Sequence, residues 1–140
     1  MIDPITQYIL NEQMDHREEV YFESKIRSVF RYAQGLPGGK QLKAKFKQNK
    51  MFCDKKEDQL EKQGKKDEAF KYGWRCYTAA LCNYDNTAIS IIRKHAPKFC
   101  SKYDGDKKIV CMEVIKFTIN NHKYECDTQK RDMKVELGGS

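Results

Sequence analysis

The sequence predicts a mainly α fold, a small single-domain helical bundle with a projecting N-terminal helical arm. Three observations carry that expectation. Apolar residues recur three and four positions apart over most of the chain, the signature of amphipathic helices. Helix-starting and helix-stopping residues stand at the ends of those runs, as in Asp3-Pro4, Gly64 and Pro97. Strand-like composition is confined to one stretch, 109–126, where a β-hairpin and hence an α+β fold is the alternative.

The first element opens at Asp3-Pro4, a capping carboxylate followed by proline at the first helical position, where its fixed φ helps and its missing N–H is harmless. Ile5, Tyr8, Ile9 and Leu10 make an apolar tip. Residues 11–19 are polar apart from Met14, and the rhythm then resumes with Phe22, Ile26, Val29, Phe30 and Ala33. Gly35-Leu36-Pro37-Gly38-Gly39 is the strongest breaker in the chain and reads as a hinge. The expected organisation is therefore an arm over 1–34, a hinge over 35–39 and a helical core over 40–137, with 138–140 (Gly-Gly-Ser) read as an added linker.

Within the core, Leu42, Phe46, Cys53 and Leu60 trace a thin apolar line through a helix from Lys40 to about Gln63, ended by Gly64. Phe70, Trp74, Tyr77 and Leu81 follow a 3.6-residue period and mark the best core helix, despite Gly73 inside it. Asp85-Asn86-Thr87 reads as a fresh cap, with Ala88, Ile91, Ile92 and His95 continuing until Pro97 stops the helix. Residues 97–107 read as a loop with a turn at Asp104-Gly105-Asp106. From Ile109 to Ile119 a helix is favoured over a hairpin turning at Asn120-Asn121. The polar tail, 128–137, is a short helix or unstructured.

With 140 residues, the chain suffices for one core. Hydrophobic residues make up 39% and charged ones 34%, so the core must be economical. No run approaches the ~20 apolar residues needed to cross a bilayer, and the start has no export signal, so a cytoplasmic protein is expected. For the six cysteines, at 53, 76, 82, 100, 111 and 126, that compartment implies free, largely buried thiols, with disulfides and a zinc site as the other readings. The net charge of +7 is uneven, being −2 over 1–34, +6 over 35–66 and +3 beyond.

Three features could carry function. The tip formed by Ile5, Tyr8, Ile9 and Leu10 can dock into a groove of another protein or fold back onto its own domain. Lys40, Lys43, Lys45, Lys47 and Lys50 occur without an intervening acid and with Phe46 and Phe52 among them, a pattern that can meet phosphates and stack on bases. An acidic protein suits the same patch, and on a helix these lysines also simply form a solvated face. A zinc site would draw on His95 with Cys100 and His122 with Cys126. It lacks a Cys-x2-Cys knuckle, and Pro97 interrupts the first pair, so neither a metal nor any other cofactor is expected. No Gly-x-Ser-x-Gly elbow, phosphate-binding glycine loop or His-Glu-x-x-His motif is present, so the expectation is a non-enzymatic protein.

The run Asp3-Pro4-Ile5-Thr6-Gln7-Tyr8-Ile9-Leu10-Asn11-Glu12 resembles the beginning of small, uncharacterised proteins of tailed bacteriophages, some regarded as virion components. The resemblance spans about ten residues and implies no catalytic residue. What it implies is a structural or adaptor protein in a larger assembly, such as a phage particle, with other proteins of that assembly as partners. The alternative is a small basic nucleic-acid-binding protein working through residues 40–50.

Overall fold

Long amphipathic segments separated by very short breaks can only fold back on one another as antiparallel helices. The computed structural model describes residues 20–28 and 41–138, and every regular element among them is helical. They are α1 (20–28), α2 (Leu42–Lys62), α3 (Lys66–Cys100) and α4 (Gly105–Glu136). At ~1.5 Å per residue, the 35 residues of α3 extend about 50 Å. This helix packs against α2 on one side and α4 on the other.

The turn between α2 and α3 follows from one glycine. Gly64 adopts φ +78°, its N–H bonds the Glu61 carbonyl, and the N–H of Lys65 reaches back to the Leu60 carbonyl, the paired bonds of a Schellman motif. The chain reverses within three residues. Gly73 has another use: a Cβ there would lie 2.6 Å from Oε2 of Glu57, so the glycine admits that carboxylate against α3.

The core lies between α1, the C-terminal half of α3 and the N-terminal half of α4. Phe22 and Ile26 enter it from α1, Ile89, Ile92 and Ala96 from α3, and Val110, Val114, Ile115 and Ile119 from α4. Residues 20–28 of the expected arm thus lie against the bundle. Phe22 also meets Tyr103 edge-on, and the hydroxyls of Tyr21 and Tyr103 are 3.0 Å apart. The remainder of the arm, the hinge at 35–39 and the docking tip at Ile5, Tyr8, Ile9 and Leu10 lie outside the described residues.

The structure departs from several local readings. Asp85-Asn86-Thr87 caps nothing: α3 runs straight through it, Asp85 is fully buried, and Thr87 bonds the Asn83 carbonyl within the same helix. Pro97 does not stop α3 either, because it sits in the last turn, where its missing N–H forfeits only one bond near the natural end at Cys100. Residues 109–126 are helical, as favoured, and the polar tail continues the same helix to Glu136.

The largest correction concerns the cysteines. They are not free thiols but form three disulfides, Cys53–Cys76, Cys82–Cys126 and Cys100–Cys111, with Cα–Cα distances of 5.7, 4.9 and 5.7 Å. Each has one end on α3. The first fastens α2 and the other two fasten α4, near each end of their contact. Local sequence could not reveal this, since the partners are 23, 44 and 11 residues apart and meet only when the hairpins close.

Loop-closure entropy ranks the bridges. The 44-residue link is worth about 4 kcal/mol, slightly less where the nested Cys100–Cys111 bridge already shortens its loop, and the 11-residue link about 3 kcal/mol. Urea unfolding should therefore show a larger loss for the paired substitution C82A/C126A than for C100A/C111A. In denaturant, an alkylating reagent should label no cysteine before reduction and all six after it.

Candidate functional site

Two features of the described residues have chemical character, one on the outside of α2 and one buried between α3 and α4.

The thin apolar stripe of α2 turns Leu42 and Cys53 inward and leaves the rest of its surface to solvent. Lys43, Lys45, Lys47 and Lys50 are all exposed, whereas Lys40 lies outside the described residues. The two phenylalanines of this segment part company. Phe46 is half-buried against Tyr77 and Tyr84 of α3, at ring separations of 6.4 and 5.2 Å, and so is structural. Phe52 is 64% exposed and Met51 beside it 61%. Helical spacing sets Gln48, Lys55 and Lys56 one turn from Phe52, and Lys47 and Lys55 one turn from Met51. Lys50 leans back over the Tyr77 ring at 5.8 Å. From 42 to 56 the helix carries six lysines and one acid, Asp54, and no arginine. An exposed apolar pair with a basic surround is the result.

The second feature follows from helical register. Cys82 and Asp85 are three apart on α3, and His122 and Cys126 four apart on α4, so each pair shares a face. When Cys82 bonds Cys126, the neighbouring turns bring Asp85 and His122 together, with Oδ1 of Asp85 2.9 Å from Nδ1 of His122. Asp85 is 0% exposed, and its Oδ2 has no partner. Glu125, exposed and one turn along from His122, completes a group whose three ligand-type atoms lie within 4.8 Å of one another. His122 also lines a cavity of about 200 Å³ together with Ile26, Arg27 and Asn121.

Burial dominates the electrostatics of Asp85. It pushes the carboxyl above its ordinary range, and the hydrogen bond and charge of His122 pull it only part of the way back. The hydroxyl of Tyr84 is raised too, by burial first and then by the Asp85 and Glu125 carboxylates, so negative potential collects along this seam.

The four residues that a zinc site would have drawn on are not brought together. Cys100 and Cys126 are disulfide-bonded, to Cys111 and Cys82, and offer no thiolate to zinc. His95 is half-buried on α3 and is not in the three-residue group, whereas His122 is. Sequence reasoning missed Asp85 because its local context imitates a helix cap. Nothing in the local pattern around Glu125 singles it out. The signal was the i, i+3 pair His122-x2-Glu125, legible only once 109–126 was known to be helical.

In comparisons with known proteins, no family model, no curated protein and no solved structure matches this chain.

Asp85 makes stability depend on pH with a definite sign. The unfolded chain loses this proton near the ordinary value of 3.8, the folded chain only at higher pH. Across that window the native state holds more protons, so the group's contribution to stability falls as pH rises. Asp85→Asn, studied with a chelator present, should therefore melt above the parent chain at pH 7, with the gap closing towards pH 4. A variant that melts lower at pH 7 would show that the pair with His122 outweighs the desolvation of the carboxylate.

Proposed function

We propose that this chain is a non-enzymatic, disulfide-braced helical adaptor that binds an acidic protein partner through the outer face of α2. The observation that supports the reading is the exposed Met51–Phe52 pair set among Lys47, Lys55 and Lys56. An aromatic anchor within a charged rim is the pattern of a protein-binding hot spot. Exposed apolar side chains of that size on a helix that contributes little to the core have no folding role to explain them. The bracing matters as well, because a helix bonded covalently to its neighbour presents its outer face with little loss of freedom on binding.

Three further observations bear on this reading. The segment lacks arginine, the side chain best suited to bidentate contact with phosphate or a base edge, and one of its two phenylalanines is turned inward. Both favour an acidic protein over a nucleic acid. All six cysteines are in disulfides, which supports residence in an oxidising compartment, outside the producing cell or on a particle surface, over the cytoplasm. No helix among the described residues is long and apolar enough to cross a membrane.

The test uses the oxidised full-length chain and two probes, a glutamate–tyrosine copolymer and a single-stranded oligonucleotide. Binding to the copolymer should weaken with salt. It should fall about tenfold in Phe52→Ala, the loss typical of a moderate hot spot. The triple substitution of Lys47, Lys55 and Lys56 by Gln should weaken it at least as much, and neither variant should shift the melting temperature by more than a degree or two. Tighter binding of the oligonucleotide, with a steep salt dependence, would transfer the face to nucleic acid. Absence of binding to either probe at low salt would overturn the adaptor reading of α2.

A further inference from the structure

The seam between α3 and α4 holds a group that neither the adaptor reading nor the hydrophobic core uses. Its most telling member is Asp85. A carboxylate with no solvent exposure normally has every oxygen satisfied, because an unpaired buried acceptor retains the full penalty of leaving water. Here Oδ1 meets His122, and Oδ2 meets nothing. The second carboxylate, Glu125, stands beside the same imidazole. Two acids and one histidine therefore converge on one spot between α3 and α4.

We propose that Asp85, His122 and Glu125 form a binding site for one divalent cation, with zinc(II) the ion that this donor set fits.

The donors are one imidazole nitrogen and two carboxylate oxygens, the mixed set taken by zinc when three protein ligands leave a fourth position for water. Two negative charges match a divalent ion. In a tetrahedral site with bonds of ~2.0–2.1 Å, ligand atoms stand about 3.3–3.4 Å apart. The Asp85–His122 separation of 2.9 Å needs only a slight opening. The rest of the group, within 4.8 Å, closes by turning the Glu125 side chain, which is exposed and can swing. On binding, the Nδ1 lone pair of His122 is directed to the ion and the imidazole proton resides on Nε2.

The framework is preformed. His122 and Glu125 ride on one face of α4, and the Cys82–Cys126 bond lies within a turn of all three ligands, holding their helices at a fixed distance. Of the three, His122 also lines the cavity of about 200 Å³ beside Ile26 and Arg27 of α1. The oxidised cysteines also remove the competing soft ligands, so that zinc has no thiolate on this chain to prefer.

The experiment uses the oxidised full chain, stripped with a chelator and dialysed. Zinc chloride is titrated by calorimetry at pH 7.5, with stoichiometry read by native mass spectrometry and magnesium chloride as a comparison. One zinc per chain should bind, with little response to magnesium, and it should raise the melting temperature. Glu125→Gln changes only an exposed side chain, so it keeps the fold; it should weaken zinc at least tenfold. Asp85→Asn should abolish the thermal shift. His95→Asn should bind like the parent. Absence of zinc binding would overturn the proposal, as would affinity unchanged in Glu125→Gln and Asp85→Asn, or lost in His95→Asn.

Discussion

Every disulfide in this protein has one end on α3, and the rest of the structure depends on that arrangement. A chain with 39% hydrophobic residues must hold together helices 21, 35 and 32 residues long. Yet α2 buries only Leu42 and Cys53. Area burial alone could not dock such a helix firmly, since few apolar side chains leave water. Covalent links answer the problem in another way. They remove freedom from the unfolded chain, so that a modest core between α1, α3 and α4 needs to supply less. Because Cys53 is tied to Cys76, α2 keeps its place with only a thin apolar stripe. Its outer surface is then free to carry lysines and an unsupported Phe52.

The same bonds explain why a buried carboxylate is tolerated. Asp85 lies one turn from Cys82, and His122 one turn from Cys126. The bridge that fixes the α3–α4 spacing also forces these two side chains together, so their pairing is a consequence of register and not of a strong attraction between them. The carboxyl of Asp85 is raised by its burial, which the hydrogen bond and charge of His122 offset only in part. A helix pair held only by packing could slide to relieve it. A pair bonded at two rungs cannot.

Much of the architecture was legible from spacing. The bounds of α2 were readable within two residues, because Gly64 is a stop signal whose mechanism, a left-handed residue closing a Schellman turn, is local. The helix over 109–126 was readable from Ile109, Met112, Ile115 and Ile119. What misled were signals of equal local strength with a different tertiary answer. Asp85-Asn86-Thr87 has the chemistry of a cap, and Pro97 that of a terminator, but α3 continues through both. The carboxylate found its partner 37 residues away, and the proline stood close enough to the helix end to do little harm. The cysteines misled for a different reason: compartment was used to infer their state, and the pairing geometry argues in the opposite direction.

By itself, then, the amino-acid order determined helicity, the positions of the reversals and the concentration of positive charge in α2. Each follows from interactions between residues one turn apart, which the sequence displays directly. Which cysteines join, which of two phenylalanines faces out, and that Asp85, His122 and Glu125 converge were decided only by the tertiary structure. Those outcomes depend on the relative register of helices whose partner residues stand 11 to 44 positions apart. No local pattern encodes that register. It emerges when the hairpins close and their buried faces select one alignment.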